Sequence, residues 1–363
     1  MVLKFLKSLV PPRRDPEASA TSASMPPPGR AVAAGAEPFD VVAALLNTNG
    51  FPHFDWAAVQ SWVDTVPTVQ GQAEAWSACE LAWLEHLRVA LGPEFQLRKQ
   101  GTAILLSTLE SNVATATLAF VNKTAQRIVR VLDGVASVPE WGHDILIVFE
   151  DDEAYYKYVS MYYPEAGEFA ASGGMYIHGG CGHFVTVKAD LRAIEPVIAH
   201  ELTHAYLSHL PIPAWLNEGL AVNTELRLCS TSHASADPRQ MHARHRQFWG
   251  TEEVQQFWSG KSFLRNDEGS ELSYDLARVL VSQFAADWDR FRPFALAANL
   301  ADGGADSARE HLDVDLGVAV CAVLERKPSP LWAPKPVDWG GDPERGAFRA
   351  TPARQLDNAS THH

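Results

Sequence analysis

The chain has 363 residues, enough for one large domain with tails or two average ones, and 46% of them are hydrophobic, so a sizeable core can be buried. With 30 basic residues against 44 acidic ones the formal charge is −14, and no basic stripe offsets it, which speaks against nucleic acid as a partner. Cys79, Cys181, Cys229 and Cys321 are far apart and form no CxxC, so they read as four reduced thiols rather than a disulfide scaffold or a cysteine zinc site.

The opening MVLKFLKSLV is apolar, but Lys4 and Lys7 interrupt it and Pro11 ends it. A secretory leader needs an unbroken apolar run of roughly 7–15 residues, so the reading is a frayed terminus on a cytoplasmic protein. No stretch approaches the roughly 18 apolar residues of a transmembrane segment. Residues 11–38 are rich in Pro, Ala, Ser and Gly and hold too little large apolar surface to offset chain entropy. Residues 1–38 are therefore expected to be a disordered segment and linker.

Asp55 is placed to cap a short helix through Val63. Trp76, Trp83, Leu84, Leu87 and Leu91 recur at helical spacing and predict a longer helix over 73–91. The run 100–107 reads as a strand, 109–132 as a long helix, and DILIVF at 144–149 as a buried strand. Asp151 and Asp152 cap a helix through Tyr163. Two short runs, 175–178 and 183–188, flank Gly179, Gly180, Cys181 and Gly182 and predict a hairpin, with His178 and His183 as exposed turn residues. Beyond Asp190 the pattern is mostly helical to about residue 326. Strands first and helices later predict an α+β fold: a small mixed sheet with an edge hairpin, then a mainly helical half. The expected organisation is a domain over 39–326, with a helical N-terminal part 39–95 and a core 96–326, followed by a Pro-rich extended tail 327–363 that Trp332 and Trp339 anchor.

The helical stretch 194–210 contains His200-Glu201-Leu202-Thr203-His204, an HExxH string. Ile194, Ile198, Leu202 and Ala205 form its apolar stripe. On a helix His200 and His204 are one turn apart on the same face, so both imidazoles can reach one ion, while Glu201 flanks them and can face a water bound there. Chance supplies roughly 0.03 such strings in a chain of this composition, so coincidence is a poor account. A hydrolytic zinc site keeps three protein ligands and one open corner. Leu210-Pro211-Ile212-Pro213 breaks the helix and forces a turn, and Ala214–Ala221 then folds back with Glu218 aimed at the two histidines. The metzincin spacing fails, because the positions that need Gly and His are Leu207 and Leu210; His209 falls on the apolar side and reads as a partly buried structural histidine.

HELTH followed by WLNEGLA resembles the gluzincin peptidases and, more closely, the peptidase-MA-like domains of bacterial proteins, over roughly residues 100–326. The resemblance implies one Zn2+ per chain on His200, His204 and Glu218, Glu201 as general base, and hydrolysis of peptide bonds in a peptide or protein substrate. It implies that Tyr274, in the first turn of a helix opening at Ser273, supports the oxyanion. Gluzincins often carry an acidic partner one turn after the glutamate ligand; that position is Val222 here, and Glu225 shares the face and takes its place, with Asn217 as a second candidate for orienting a histidine. Extended substrate would lie along an edge strand at Gly174, Met175 and Tyr176, where Tyr176 replaces the glutamate by which gluzincin aminopeptidases grip a free amine. The alternative reading is a catalytically idle zinc-binding domain that recognises peptide or protein partners. Arg239, His242, Arg244 and His245 make a local basic patch, either a solvated helix face or a cleft wall for an acidic group.

Overall fold

The computed structural model describes residues 26–139, 141–162, 174–177, 179–188, 191–229 and 237–339. Among them the fold is a mixed α+β arrangement. A small N-terminal layer comes first: β1 (Arg30–Ala31) and β2 (Phe39–Asp40), the short α1 (Val41–Ala44), the hairpin β3 (Leu45–Thr48) and β4 (Phe51–Phe54), then α2 (Trp56–Val63) and α3 (Val69–Leu91). Asp55 caps α2 as expected, accepting from Ala57 N and Ala58 N. The α3 helix starts earlier than its apolar spacing suggested, because the Thr68 hydroxyl accepts from Gly71 N and caps it.

The central sheet has five strands: β5 (Gln96–Gln100), β6 (Ala103–Ser107), β7 (Asp144–Phe149), β8 (Gly174–Ile177) and β9 (His183–Val187), in the order β5-β6-β7-β9-β8. The β6–β7 and β7–β9 pairs are parallel and the outer two are antiparallel, so the sheet is mixed and β8 is an edge. Side chains alternate between two cores. Leu105, Leu146, Val148 and Phe184 face a helical layer that starts with α4 (Ser111–Val131). Ile104, Leu106, Ile145, Ile147, Phe149 and Val185 face the N-terminal layer and α5 (Asp152–Val159). Covered on both faces, β6 and β7 read as unbroken apolar runs. The helical half continues with α6 (Leu191–Leu207), α7 (Ala214–Leu228), α8 (Pro238–Phe248), α9 (Thr251–Trp258), α10 (Glu268–Phe284), α11 (Trp288–Ala297), α12 (Ala305–Ser307) and α13 (Leu316–Val323). No described helix is long and apolar enough to cross a membrane.

Several expectations need correction. The described part of the supposed linker, from residue 26, packs on the N-terminal layer: Ala31 is buried, Glu37 O accepts from Trp62 Nε1 at 2.7 Å, and Pro28 O meets His86 Nε2 at 3.0 Å. Small residues can be held by backbone bonds where they bring no apolar surface of their own. The run 100–107 is the end of one strand and the whole of the next; β5 was missed because QLRKQ is half exposed and carries no apolar alternation. From Lys327 to Trp339 the chain is anchored at Trp332 and Trp339 as expected, but it is not simply extended. Two 3-10 turns, Pro330–Trp332 and Pro336–Asp338, dock with Trp332 buried.

The hairpin is there, but His183 is not an exposed turn residue: it is 1% exposed. Its Nδ1 lies 2.7 Å from Cys181 O and its Nε2 2.8 Å from Tyr158 Oη. The carbonyl can only accept, so Nδ1 carries the proton and Nε2 accepts from the tyrosine. The turn itself is gripped from the N-terminal layer. Gly180 sits at φ +75 with a β-carbon position 1.9 Å from Trp56 Cδ1, so only glycine fits. Cys181 Sγ donates to Glu80 Oε1 at 3.4 Å, and the same carboxylate accepts from Trp76 Nε1 at 2.9 Å and meets His143 Nδ1 at 2.6 Å. The free cysteines are all buried, as four isolated thiols should be. His178 lies outside the described residues.

Burial lowers His183 from its ordinary value to about 4. A neutral histidine in the fold that is readily charged when unfolded stabilises the protein above pH 6.5. That stability is lost as pH falls from 6.5 towards 4, at about 1.4 kcal/mol per pH unit. Urea unfolding between pH 7.5 and 4.5 is expected to show this slope, and His183→Phe is expected to flatten it.

Candidate metal centre

The HExxH string lies in the last three turns of α6, whose stripe of Ile194, Ile198, Leu202 and Ala205 is buried against the sheet and α4. The helix ends at Leu207, short of the expected residue 210, so His209 lies just past its end, half-exposed and hydrogen-bonded to the Tyr206 backbone. Pro211 and Pro213 reverse the chain into α7, which packs along α6. Glu218 is thereby brought to the two imidazoles, at 1% exposure, with His204 at 4%.

Three electron-rich atoms meet here. His200 Nε2 and His204 Nε2 are 3.1 Å apart, and Glu218 Oε2 is 3.3 Å from the first and 3.4 Å from the second. A tetrahedral zinc ion with bonds of about 2.0–2.1 Å places its corners about 3.3 Å apart, so the triangle matches one face of that tetrahedron. Glu218 Oε2 is buried and has no hydrogen-bond partner, which is costly unless a cation answers it. The opposite nitrogens are fixed: His200 Nδ1 lies 3.2 Å from Glu225 Oε2, and His204 Nδ1 lies 3.1 Å from Asn217 Oδ1. Both partners can accept, so each Nδ1 carries a proton and each Nε2 lone pair points inward. The donor set, its spacing and its outer partners fit a divalent ion of the zinc class. Among the described residues it is the one group of three or more His, Cys, Asp or Glu side chains close enough to share an ion.

The electrostatics agree. Burial disfavours a charged imidazole at His200, but the Glu218 and Glu225 carboxylates outweigh it and raise this histidine to about 10. His204 is raised too, burial again opposing and Glu218 prevailing. Burial alone would push Glu218 up, but His204 and His200 hold it down at about 2. The carboxylate that favours a proton on each imidazole favours a cation in its place as well.

Glu201 does not join the triangle. Its Oε2 accepts from Tyr176 N at 2.9 Å, which links the motif helix to the outer side of edge strand β8. Burial raises its pKa. The Tyr274 ring lies 6.4 Å from that of His200 and edge-on to Phe263 at 5.2 Å. The Glu218 charge, then burial, hold its hydroxyl protonated well above the usual tyrosine range. Tyr274 is not in a first turn: Asp267 caps α10 by accepting from Gly269 N, so the helix begins at Glu268 and the tyrosine sits one turn further in. Gly174 lies on the same face of β8 as Tyr176, and Met175 faces the opposite core.

Three of the four basic-patch side chains are engaged by neighbouring helices. Arg244 is engaged by Glu271 at 2.6 Å and Glu268 at 3.2 Å, both on α10. His245 Nε2 meets Asp275 at 2.8 Å and its Nδ1 accepts from Trp249 Nε1 at 2.9 Å, while His242 Nε2 lies 3.2 Å from Val323 O. Arg244 and His245 thus clamp α10, the helix that carries Tyr274, while His242 reaches α13.

Sequence reading missed Gly219 and Asn223. A β-carbon on Gly219 would lie 2.6 Å from Ala277 O and 2.5 Å from Val281 Cγ2, so α7 and α10 cross at closest approach beside Glu218. Asn223 Nδ2 bridges that crossing, donating to Gly219 O at 2.7 Å and Arg278 O at 2.9 Å. A glycine inside a helix, next to a candidate ligand, was the available signal. Gly219→Ala is expected to force the helices apart and lower stability by about 1–3 kcal/mol, measured by chemical denaturation of the metal-free chain. The chain matches no protein-family model and no curated protein.

Proposed function

We propose that the protein is a zinc-dependent peptidase of gluzincin type. The observation that carries this reading is the buried triangle of His200 Nε2, His204 Nε2 and Glu218 Oε2, with sides of 3.1, 3.3 and 3.4 Å and a carboxylate oxygen left without a hydrogen bond. A hairpin just before the motif helix whose first strand, β8, is a sheet edge, and a candidate ligand on the helix just after it, further support the gluzincin reading.

Bound at the triangle, zinc would supply Lewis acidity and lower the pKa of a coordinated water towards about 7. Glu201, next to His200 in the motif and raised by burial, would take a proton at the oxygen not bound to Tyr176 N and return it to the leaving amine. Tyr274, kept protonated beside Glu218, has a donor to offer an oxyanion. Glu225 and Asn217 keep each histidine in the tautomer that presents Nε2 inward. The outward-facing backbone of β8 offers an extended peptide a place to pair.

Purified protein is expected to hold about one zinc per chain by elemental analysis. Glu201→Gln should keep the metal and abolish cleavage of a peptide library, with a loss of at least about 100-fold. Zinc retention without any cleavage by the wild type would favour the idle, partner-recognising alternative, and failure to take up stoichiometric zinc would end the metal reading.

A further inference from the structure

We infer that residues 328–339 form a strap that positions the metal ligand Glu218, with Gln255 as its clasp; this rests on the metal-site reading above. An amide side chain has two donors and two acceptor lone pairs, and Gln255 on α9 spends all four on this one segment. Its Nε2 donates to Leu331 O at 3.2 Å and Ala333 O at 2.8 Å, and its Oε1 accepts from Lys335 N at 2.9 Å and Trp339 Nε1 at 3.1 Å. Trp258 Nε1 donates to Trp332 O at 2.8 Å, and Lys261 Nζ donates to Trp339 O. At Gly317 a β-carbon would lie 2.5 Å from Ala333 N, so the segment runs directly on the backbone of α13.

Two routes lead from the strap to the ligand helix. The Trp339 ring and Pro334 rest on Gly303, 3.1 and 3.5 Å from its β-carbon position. Gly303 O in turn accepts from Trp215 Nε1 at 3.0 Å. The second route is direct: Trp258, which holds the strap, packs edge-on against Trp215 at 5.6 Å. Trp215 is fully buried in the first turn of α7, three residues before Glu218. Lifting the strap frees the 299–304 turn and leaves the buried Trp215 N–H poorly answered, which lets the start of α7 shift. The strap is suited to lifting, because polar bonds and two indoles hold it while Leu331 at 51% and Val337 at 91% exposure add little.

The test uses the full chain with zinc as the probe. Zinc affinity is measured by chelator competition in wild type and in Gln255→Ala, with Gln255→Ala/Trp339→Ala as the variant in which the strap is fully released. Amide hydrogen exchange of residues 328–339 reports release, with residues 45–54 as the control segment. Release is expected to weaken zinc about tenfold, the size seen when outer partners of metal ligands are lost. By reciprocity zinc should slow exchange in the wild-type strap by a similar factor, beyond any change in the control. A strap that exchanges freely while zinc affinity stays within about twofold of wild type overturns the inference, because a purely structural role lowers stability without touching the metal. A wild-type chain that takes up no zinc would instead overturn the metal reading itself.

Discussion

Two imidazole nitrogens and a carboxylate oxygen, all within 3.4 Å of one another in a buried pocket, repel unless positive charge sits between them. Much of the helical half reads as the means of holding that arrangement. The stripe on α6 fixes one helix against the sheet, two prolines return the chain, and Gly219 lets α10 approach until Asn223 can bridge two backbones. Each contact narrows the freedom of Glu218. Buried polar groups of this kind are costly when half satisfied, so the surrounding order and the chemistry are one problem.

The α8 helix shows how that order extends outward. Trp249 has an indole N–H that can only donate, so it sets His245 to accept at Nδ1 and donate at Nε2. His245 then holds Asp275, the residue after Tyr274, and Arg278 binds the other oxygen of that carboxylate at 2.7 Å. Burial and these partners compete over Asp275, and the partners win, holding it below the usual carboxylate range. Tyr274 thus stands on a helix clamped from behind.

How much of this was legible in the sequence follows from what each feature depends on. HExxH and the later glutamate were readable because helical spacing alone places the two histidines on one face. The buried strands β6 and β7 were readable because the sheet is covered on both sides. Glu225 and Asn217 could be named as outer partners from their positions on α7. By contrast, β5 carries no periodic apolar signal, the cap at Asp267 moved Tyr274 inward by a turn, and the His245 clamp depends on helices far apart in sequence. The contact between Glu201 and Tyr176 uses a backbone N–H that any residue but proline offers, so no side-chain pattern could have announced it. His183 looked like a turn histidine because the chain gives no sign that Tyr158 and the N-terminal layer will enclose it.

The two margins of the sheet are unlike. At one, β5 exposes Gln96, Lys99 and Gln100, with Arg98 reaching to Ser111, long polar chains that discourage a foreign strand from adding. At the other, β8 is four residues of Gly, Met, Tyr and Ile with no outer neighbour among the described residues. Uncontrolled stacking of sheets through their borders is thus opposed on the charged side, and on the apolar side any visitor finds only a few rungs. One of those rungs is already taken by the motif helix, so an incoming chain must share it or displace it.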